Sequence, residues 1–167
     1  MTGALTIRPL VATDWEVVRA IYLEGIESGD ATFETDVPEW ETWDASRLEV
    51  GRIVAEADGR VVGFAALSPT SKRPVYAGVA EVMVYVAGDA RGRGIGGVLM
   101  QALVEASEDA GIWTLQASVF PENQASIRAH LRVGFRELGR RERIAQFHDG
   151  RWRDTVVLER RSSVVGG

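Results

Sequence analysis

The chain of 167 residues contains no cysteine, which removes disulfides, thiolate metal sites and a cysteine nucleophile together. No apolar run approaches the roughly 18 residues needed to cross a bilayer. The opening MTGALTIRPL lacks the apolar core of a signal peptide. These absences set the expectation of a cytoplasmic protein without a membrane partner. Histidine is scarce: the only two are His130 and His148, which do not make a convincing metal site, so no metal is expected. Net basic charge is missing as well. A formal charge of -5 and a pI near 5.1 argue against nucleic acid, because phosphate binding needs a basic face.

What is present fits one ordinary globular unit. With 46% hydrophobic and 26% charged residues, the chain is apolar enough to bury a real core. A single domain is expected over residues 1–161, followed by a frayed tail at 162–167. The patterning predicts the order β-α-α-β-β-β-α-β-α-β-β. Leu5, Ile7 and Leu10 suit an opening strand. Thr13 and Glu16 then form a candidate capping box for a helix running to about Gly29. Pro38 to Leu48, with Trp40 and Trp43, reads as a second helix. Strands at 52–57 and 61–67 flank Asp58-Gly59, a hairpin turn signal.

The strand Glu81 to Val86 alternates, placing Val82, Val84 and Val86 on one face and Glu81, Met83 and Tyr85 on the other. It leads into Arg91-Gly92-Arg93-Gly94-Ile95-Gly96-Gly97, which opens an amphipathic helix ending at Gly111. Glycines let backbone N–H groups approach a ligand, and a helix N-terminus favours an anion. Two flanking arginines add charge-assisted contacts. The physical reading is a pyrophosphate site. Gly92, Gly94 and Gly97 satisfy G-x-G-x-x-G, but a dinucleotide fold places that pattern after its first strand. No Gly-Lys-Ser/Thr closes the loop, so it is not a P-loop. The second arginine cluster, Arg136, Arg140, Arg141 and Arg143, reads as a solvated strand edge.

Arg91, Gly94 and Gly96 resemble motif A of the GNAT acetyltransferase superfamily, [Q/R]-x-x-G-x-[G/A]. Asn123 through Gly134-Phe135 is similar to its second signature. Within the superfamily the chain is most similar to the phosphinothricin and methionine sulfoximine acetyltransferase group. That likeness rests on Ala31-Thr32-Phe33-Glu34-Thr35 with Pro38, Arg73-Pro74-Val75-Tyr76, Glu81 to Val86, and Gly150-Arg151-Trp152-Arg153-Asp154. The resemblance implies an α/β (α+β) fold with a mixed, mostly antiparallel sheet of about seven strands and about four helices. The sheet is splayed between its fourth and fifth strands. It also implies acetyl-CoA as co-substrate, a small-molecule amine as acceptor, and a homodimer, to which Trp40, Trp43 and Trp152 offer apolar contact.

In that family the cofactor is held by the loop, here Arg91, Gly92, Arg93, Gly94, Ile95 and Gly96. The preceding strand, Val84, Tyr85 and Val86, pairs with the pantetheine arm, and Asn123 and Ser126 lie beside it. An α-amino group has a pKa of about 8, so a base is needed near neutrality. Glu81 is the candidate base, or else a strand-end carboxylate in a salt bridge. His130 stands where many relatives carry tyrosine and is the candidate acid, or a proton acceptor, or a packed helix histidine. Asn123 serves the cofactor, caps the following helix, or does both. For the acceptor's acidic groups, Lys72 and Arg73 are the candidates, with Phe33, Glu34 and Tyr76 shaping the pocket. Competing readings are a protein N-terminal or lysine acetyltransferase and a non-catalytic acyl-CoA-binding module.

Overall fold

The computed structural model describes residues 3–167. Its regular elements follow the expected order. They are β1 (Leu5–Pro9), α1 (Trp15–Glu27), α2 (Trp40–Ser46), β2 (Ile53–Ala57), β3 (Arg60–Pro69), β4 (Val79–Val86), α3 (Ile95–Asp109), β5 (Thr114–Val119), α4 (Gln124–Arg132), β6 (Arg136–Gln146) and β7 (Trp152–Arg161). Asp58 and Gly59 both take positive φ, 52° and 73°, as a tight hairpin between β2 and β3 requires. The strands form one 7-stranded sheet in the order β1-β2-β3-β4-β5-β7-β6.

One junction in that sheet differs from the rest. β4 and β5 are parallel and pair only from Val79 to Glu81 against Thr114 to Gln116. On its other edge β4 stays paired with β3 as far as Val86. Beyond Glu81 the two central strands therefore part, and the β5-facing backbone of residues 83–86 has no strand partner.

The two faces of the sheet are covered from opposite sides. On one, Tyr22 of α1 meets Tyr85 and Phe64, which stack on each other at 5.5 Å between ring centroids. On the other, α3 buries Ile95, Leu99 and Leu103, with Leu99 and Ile95 against Gly63. Each fully buried Leu or Phe contributes about 1.5–3 kcal/mol. α2 is barely two turns long and is anchored by Trp43, which is buried against Trp15, Trp40 and Phe64. Trp43 is thus core rather than contact surface, whereas Trp152 is exposed. No helix among the described residues is long and apolar enough to cross a membrane.

One local expectation is corrected. Thr13 does not cap α1: a 3-10 turn at Ala12–Asp14 precedes the helix, and the Asp14 carboxylate accepts from the Val11 N–H at 2.9 Å. Asp14 does so because Arg8 already fixes it through two hydrogen bonds. The tail from residue 162 makes contacts near its start. Ser162 is buried, its hydroxyl donates to Glu108 at 2.9 Å, and Arg161 donates to the carbonyls of Val165 and Gly166.

Gly25 lies inside α1, where glycine weakens a helix by about 1 kcal/mol relative to alanine. A Cβ there would sit 2.5 Å from the Tyr85 ring, so the glycine exists to admit that ring. Gly25→Ala is expected to be net destabilising, because overpacking of about 1–3 kcal/mol outweighs the gain in propensity. Chemical denaturation of the two proteins checks the sign.

Candidate active site

The parting of β4 and β5 opens a cleft of about 970 Å³. Its floor is Glu81 to Val86, and one wall comes from β5 and α4. The loop after α1 and the inner faces of β6 and β7 close the other sides. At one end lies the glycine-arginine loop; toward the other lie Glu34, Arg47, Glu81 and Arg141.

At the loop end, Gly92 and Gly94 take φ of 77° and 78°, a region where other residues are strained. Gly94 is the N-cap of α3, and the first helical bond runs from the Val98 N–H to the Gly94 carbonyl at 3.2 Å. The N–H groups of Ile95, Gly96 and Gly97 therefore have no acceptor within the helix. A Cβ at Gly92, Gly94 or Gly97 would meet nothing within 4 Å, so the loop and first turn are uncrowded at these positions. Arg91 and Gly96 line the cleft, and Arg91 Nε donates to the Val86 carbonyl at 3.4 Å. Arg93 is exposed beside them, while the Ile95 side chain is buried in the core and offers only its backbone. Free donors, an uncrowded loop and two cations fit a pyrophosphate-bearing ligand such as acetyl-CoA. Val84, Tyr85 and Val86 supply the unpaired backbone edge next to it.

Glu81 stands on the last paired residue of the β4–β5 junction, opposite Gln116. Solvent reaches it through the cleft, yet the surrounding protein pushes its carboxyl above the usual value, with Arg47 and Arg141 opposing that rise. It forms no salt bridge among the described residues, so it is not the carboxylate of a strand-end ion pair.

His130, on α4, is 6% exposed and lines the cleft wall. Its Nδ1 lies 2.6 Å from the Ser126 carbonyl. A carbonyl only accepts, so Nδ1 carries the hydrogen and Nε2 of the neutral ring carries a lone pair. Burial lowers the pKa of the ring, partly opposed by that hydrogen bond. A neutral imidazole of this tautomer accepts a proton and has none to give from Nε2. Asn123 caps α4 through Oδ1, which accepts from the Ser126 N–H at 3.2 Å, while its Nδ2 donates to the Asp30 carbonyl at 3.3 Å.

Phe33 and Glu34 are in the cleft lining, with Phe33 edge-on to Phe120 at 4.8 Å. Lys72, Arg73 and Tyr76 are not. They lie on the exposed β3–β4 connection, which turns back on itself: Tyr76 N–H bonds the Arg73 carbonyl at 3.0 Å, and the Arg73 guanidinium lies over the Tyr76 ring. The cations brought beside Glu81 are Arg47 and Arg141 instead. Arg47 ends α2, a weakly patterned segment, and carried no sequence signal. Arg141 is exposed, as expected of the arginines on an edge strand, yet it also lines the cleft. A register shift in β6 between Arg141 and Ala145, with Arg143 at φ 45° and its N–H held by Asp154 at 2.7 Å, sets it apart from them.

The loop over the cleft is held by one buried cation. Arg153 of β7, 6% exposed, bridges the Gly29 carbonyl, Asp30 at 2.9 Å and Glu122 at 3.3 Å. Its guanidinium lies 3.6 Å from the centroid of Phe120. Among the described residues no cluster of three or more His, Cys, Asp or Glu is placed to hold a metal.

Residues 15–135 match the acetyltransferase (GNAT) family. The chain is 32% identical over 167 residues to a phosphinothricin N-acetyltransferase of Streptomyces coelicolor, an alignment covering 95% of this chain and 97% of that protein. A solved ribosomal-protein-alanine N-acetyltransferase from Brucella melitensis gives a TM-score of 0.85 at 30% identity, over 94% of this chain and 99% of that one. A phosphinothricin acetyltransferase from Sinorhizobium meliloti, solved in complex with AcCoA, gives 0.84 at 28% identity, over 97% and 90%.

Because Arg153 joins the cleft loop to β7 and to the turn before α4, Arg153→Ala is expected to lower stability by about 1–3 kcal/mol. Hydrogen exchange of residues 28–34 is expected to rise while that of α3 stays as it was. Exchange followed by mass spectrometry separates the two.

Proposed function

Since the chain belongs to the acetyltransferase (GNAT) family, we propose that it moves the acetyl group of acetyl-CoA to the primary amine of a small amino-acid-like substrate. The acceptor is of the phosphinothricin, methionine sulfoximine or methionine sulfone type, and transfer is direct, in a ternary complex. The observation that carries this reading is Glu81: an unpaired, partly desolvated carboxylate on the floor of a cleft whose other end is an open anion site.

Bound acetyl-CoA supplies the acetyl thioester. Arg91 to Gly96 hold its pyrophosphate, and the unpaired edge of Val84 to Val86, with Asn123 and Ser126 across from it, receives the pantetheine arm. The absence of cysteine leaves no thiol to carry the acetyl group, in keeping with direct transfer. Converting an ammonium to an amide sheds two protons, one leaving with the thiol and one passing to solvent. Glu81 at a carboxylate oxygen and His130 at Nε2 provide two acceptors for them. Holding His130 neutral by burial keeps its lone pair available at neutral pH. Glu34 and Phe33 bound the acceptor space, and Arg153 keeps their loop in place.

A second reading, acetylation of a protein N-terminal amine, draws on the likeness to the Brucella enzyme. Thiol release from acetyl-CoA against phosphinothricin, methionine sulfoximine, methionine sulfone, polyamines and a short peptide decides between them. Turnover on the first three supports the proposal; turnover on the peptide alone selects the second reading.

Only ionised Glu81 accepts a proton, and its pKa is raised, so kcat is expected to fall as pH drops through a value above the ordinary ~4.3 of a glutamate. Glu81→Gln is expected to lower kcat by at least about 100-fold and to abolish that acidic limb, with acetyl-CoA affinity unchanged. A glutamine variant that turns over at the wild-type rate places the base elsewhere.

A further inference from the structure

The glycine-arginine loop is soft by composition. Gly92 and Gly94 both take positive φ, and glycine keeps more backbone freedom than any other residue. Where such a loop presents its N–H groups therefore depends on the turn that feeds it. That turn spans residues 87–90 and leaves β4 just past Val86, the last residue paired with β3. The Ala87 N–H donates to the Val62 carbonyl at 2.8 Å, and the Ala90 N–H closes the turn on the Ala87 carbonyl at 3.0 Å. Ala90 itself is fully buried.

Between these two bonds the Gly88 N–H reaches away from the sheet. It donates to a carboxylate oxygen of Glu24 on α1, at 2.8 Å and across 64 residues of chain. Glu24 makes no salt bridge among the described residues. A hydrogen bond to an ionised acceptor is roughly twice as strong as a neutral one. The ion pair Arg60–Asp89 joins the same turn at 2.9 Å, but both side chains are more than half exposed, and such pairs contribute little. α1 is a firm platform by comparison. Tyr22 packs on Tyr85 of β4 at 5.0 Å between ring centroids, and Gly25 admits the same ring. Glu24 falls between these two contacts, so the helix packed on β4 also grips the turn that follows it.

Gly88 suits that grip. A Cβ at this position would lie 2.6 Å from Glu24 Oε2 and would meet no other residue within 4 Å. We propose that Glu24 is a positioning residue for acetyl-CoA binding. Its carboxylate, carried by α1, fixes the 87–90 turn and through it the place of Arg91 and of the free N–H groups at the start of α3. The assignment rests on the reading of Arg91 to Gly96 as the pyrophosphate site. Charge and position then act in opposite directions. A carboxylate beside the entrance to an anion site repels the anion, whereas a brace on the loop favours it.

Calorimetric titration of acetyl-CoA into the wild type and four variants, at one ionic strength, reads the sign. Glu24→Ala is expected to weaken binding by about 3- to 10-fold, although it removes a negative charge. Glu24→Gln keeps an acceptor oxygen and loses only the charge, so its Kd is expected to stay within about twofold of wild type. Gly88→Ala, whose methyl group displaces the Glu24 carboxylate, is expected to weaken binding as Glu24→Ala does. The double variant, Glu24→Ala with Gly88→Ala, is expected to bind no more weakly than either single one, because both break one bond. A Glu24→Ala protein that binds as tightly as wild type, or more tightly, overturns the proposal. A double variant whose loss is the product of the two single losses overturns it as well. Either result leaves the cofactor reading standing. A wild type that binds no acetyl-CoA overturns that reading and the positioning role together.

Discussion

The structure depends on how little of β4 and β5 is paired. Three residues on each strand, Val79 to Glu81 and Thr114 to Gln116, hold the two halves of the sheet together. Had pairing continued, the backbone donors and acceptors of residues 83–86 would be satisfied internally and the cleft would be closed sheet. Parallel strands need a crossover between them, and here that crossover is the loop and α3. The same topology that opens the edge therefore delivers the helix N-terminus and its free N–H groups to the mouth of the opening. An unpaired strand edge is usually a liability for aggregation. In this fold it faces into a cleft between helices, where only a slender ligand can pair with it.

Glu81 sits where pairing ends, and its electrostatics follow from that position. Desolvation raises its proton affinity, while Arg47 and Arg141 restrain the rise. The proposed role of base to an amine calls for that balance. Full exposure would leave the carboxylate a weaker proton acceptor, and an ion pair would occupy its lone pair. His130 is tuned the other way: burial removes its charge and a backbone carbonyl fixes its tautomer. Carboxylate and imidazole thus present lone pairs to the same space by opposite shifts.

The fold and the cofactor half of the cleft were legible because their signals are local. Glycines at 92, 94 and 97 after an alternating strand specify a turn and a helix start within a few residues, and the structure has Gly94 as the N-cap of α3 with an uncrowded loop before it. Glu81 was legible for a related reason, since strand alternation fixes its face. The acceptor half was not. Lys72 and Arg73 are adjacent cations, a visible pattern, but their loop folds onto itself outside the cleft. Arg47 ends a short helix whose only strong anchor is Trp43. Arg141 is one of four arginines in an exposed strand, and a bulge two residues beyond it separates it from its neighbours. A bulge, a long-range register and a tautomer set by a backbone carbonyl have no signature in the order of residues.

This division has a physical cause. The cofactor half must meet a ligand with fixed chemistry through backbone groups, and backbone conformation is written in glycine positions. The other half of the cleft is lined by side chains gathered from the end of α2, β4, β6 and β7, each held by its own contacts. Arg47 lies over Trp43, Arg141 follows from the bulge braced by Asp154, and the overlying loop is held by Arg153. Any of these supports can change without disturbing the strand parting or the glycine loop. Proteins with this backbone can therefore share the donor and differ in the amine, which is why likeness at about 30% identity speaks to the reaction while the cleft residues of this chain speak to its substrate.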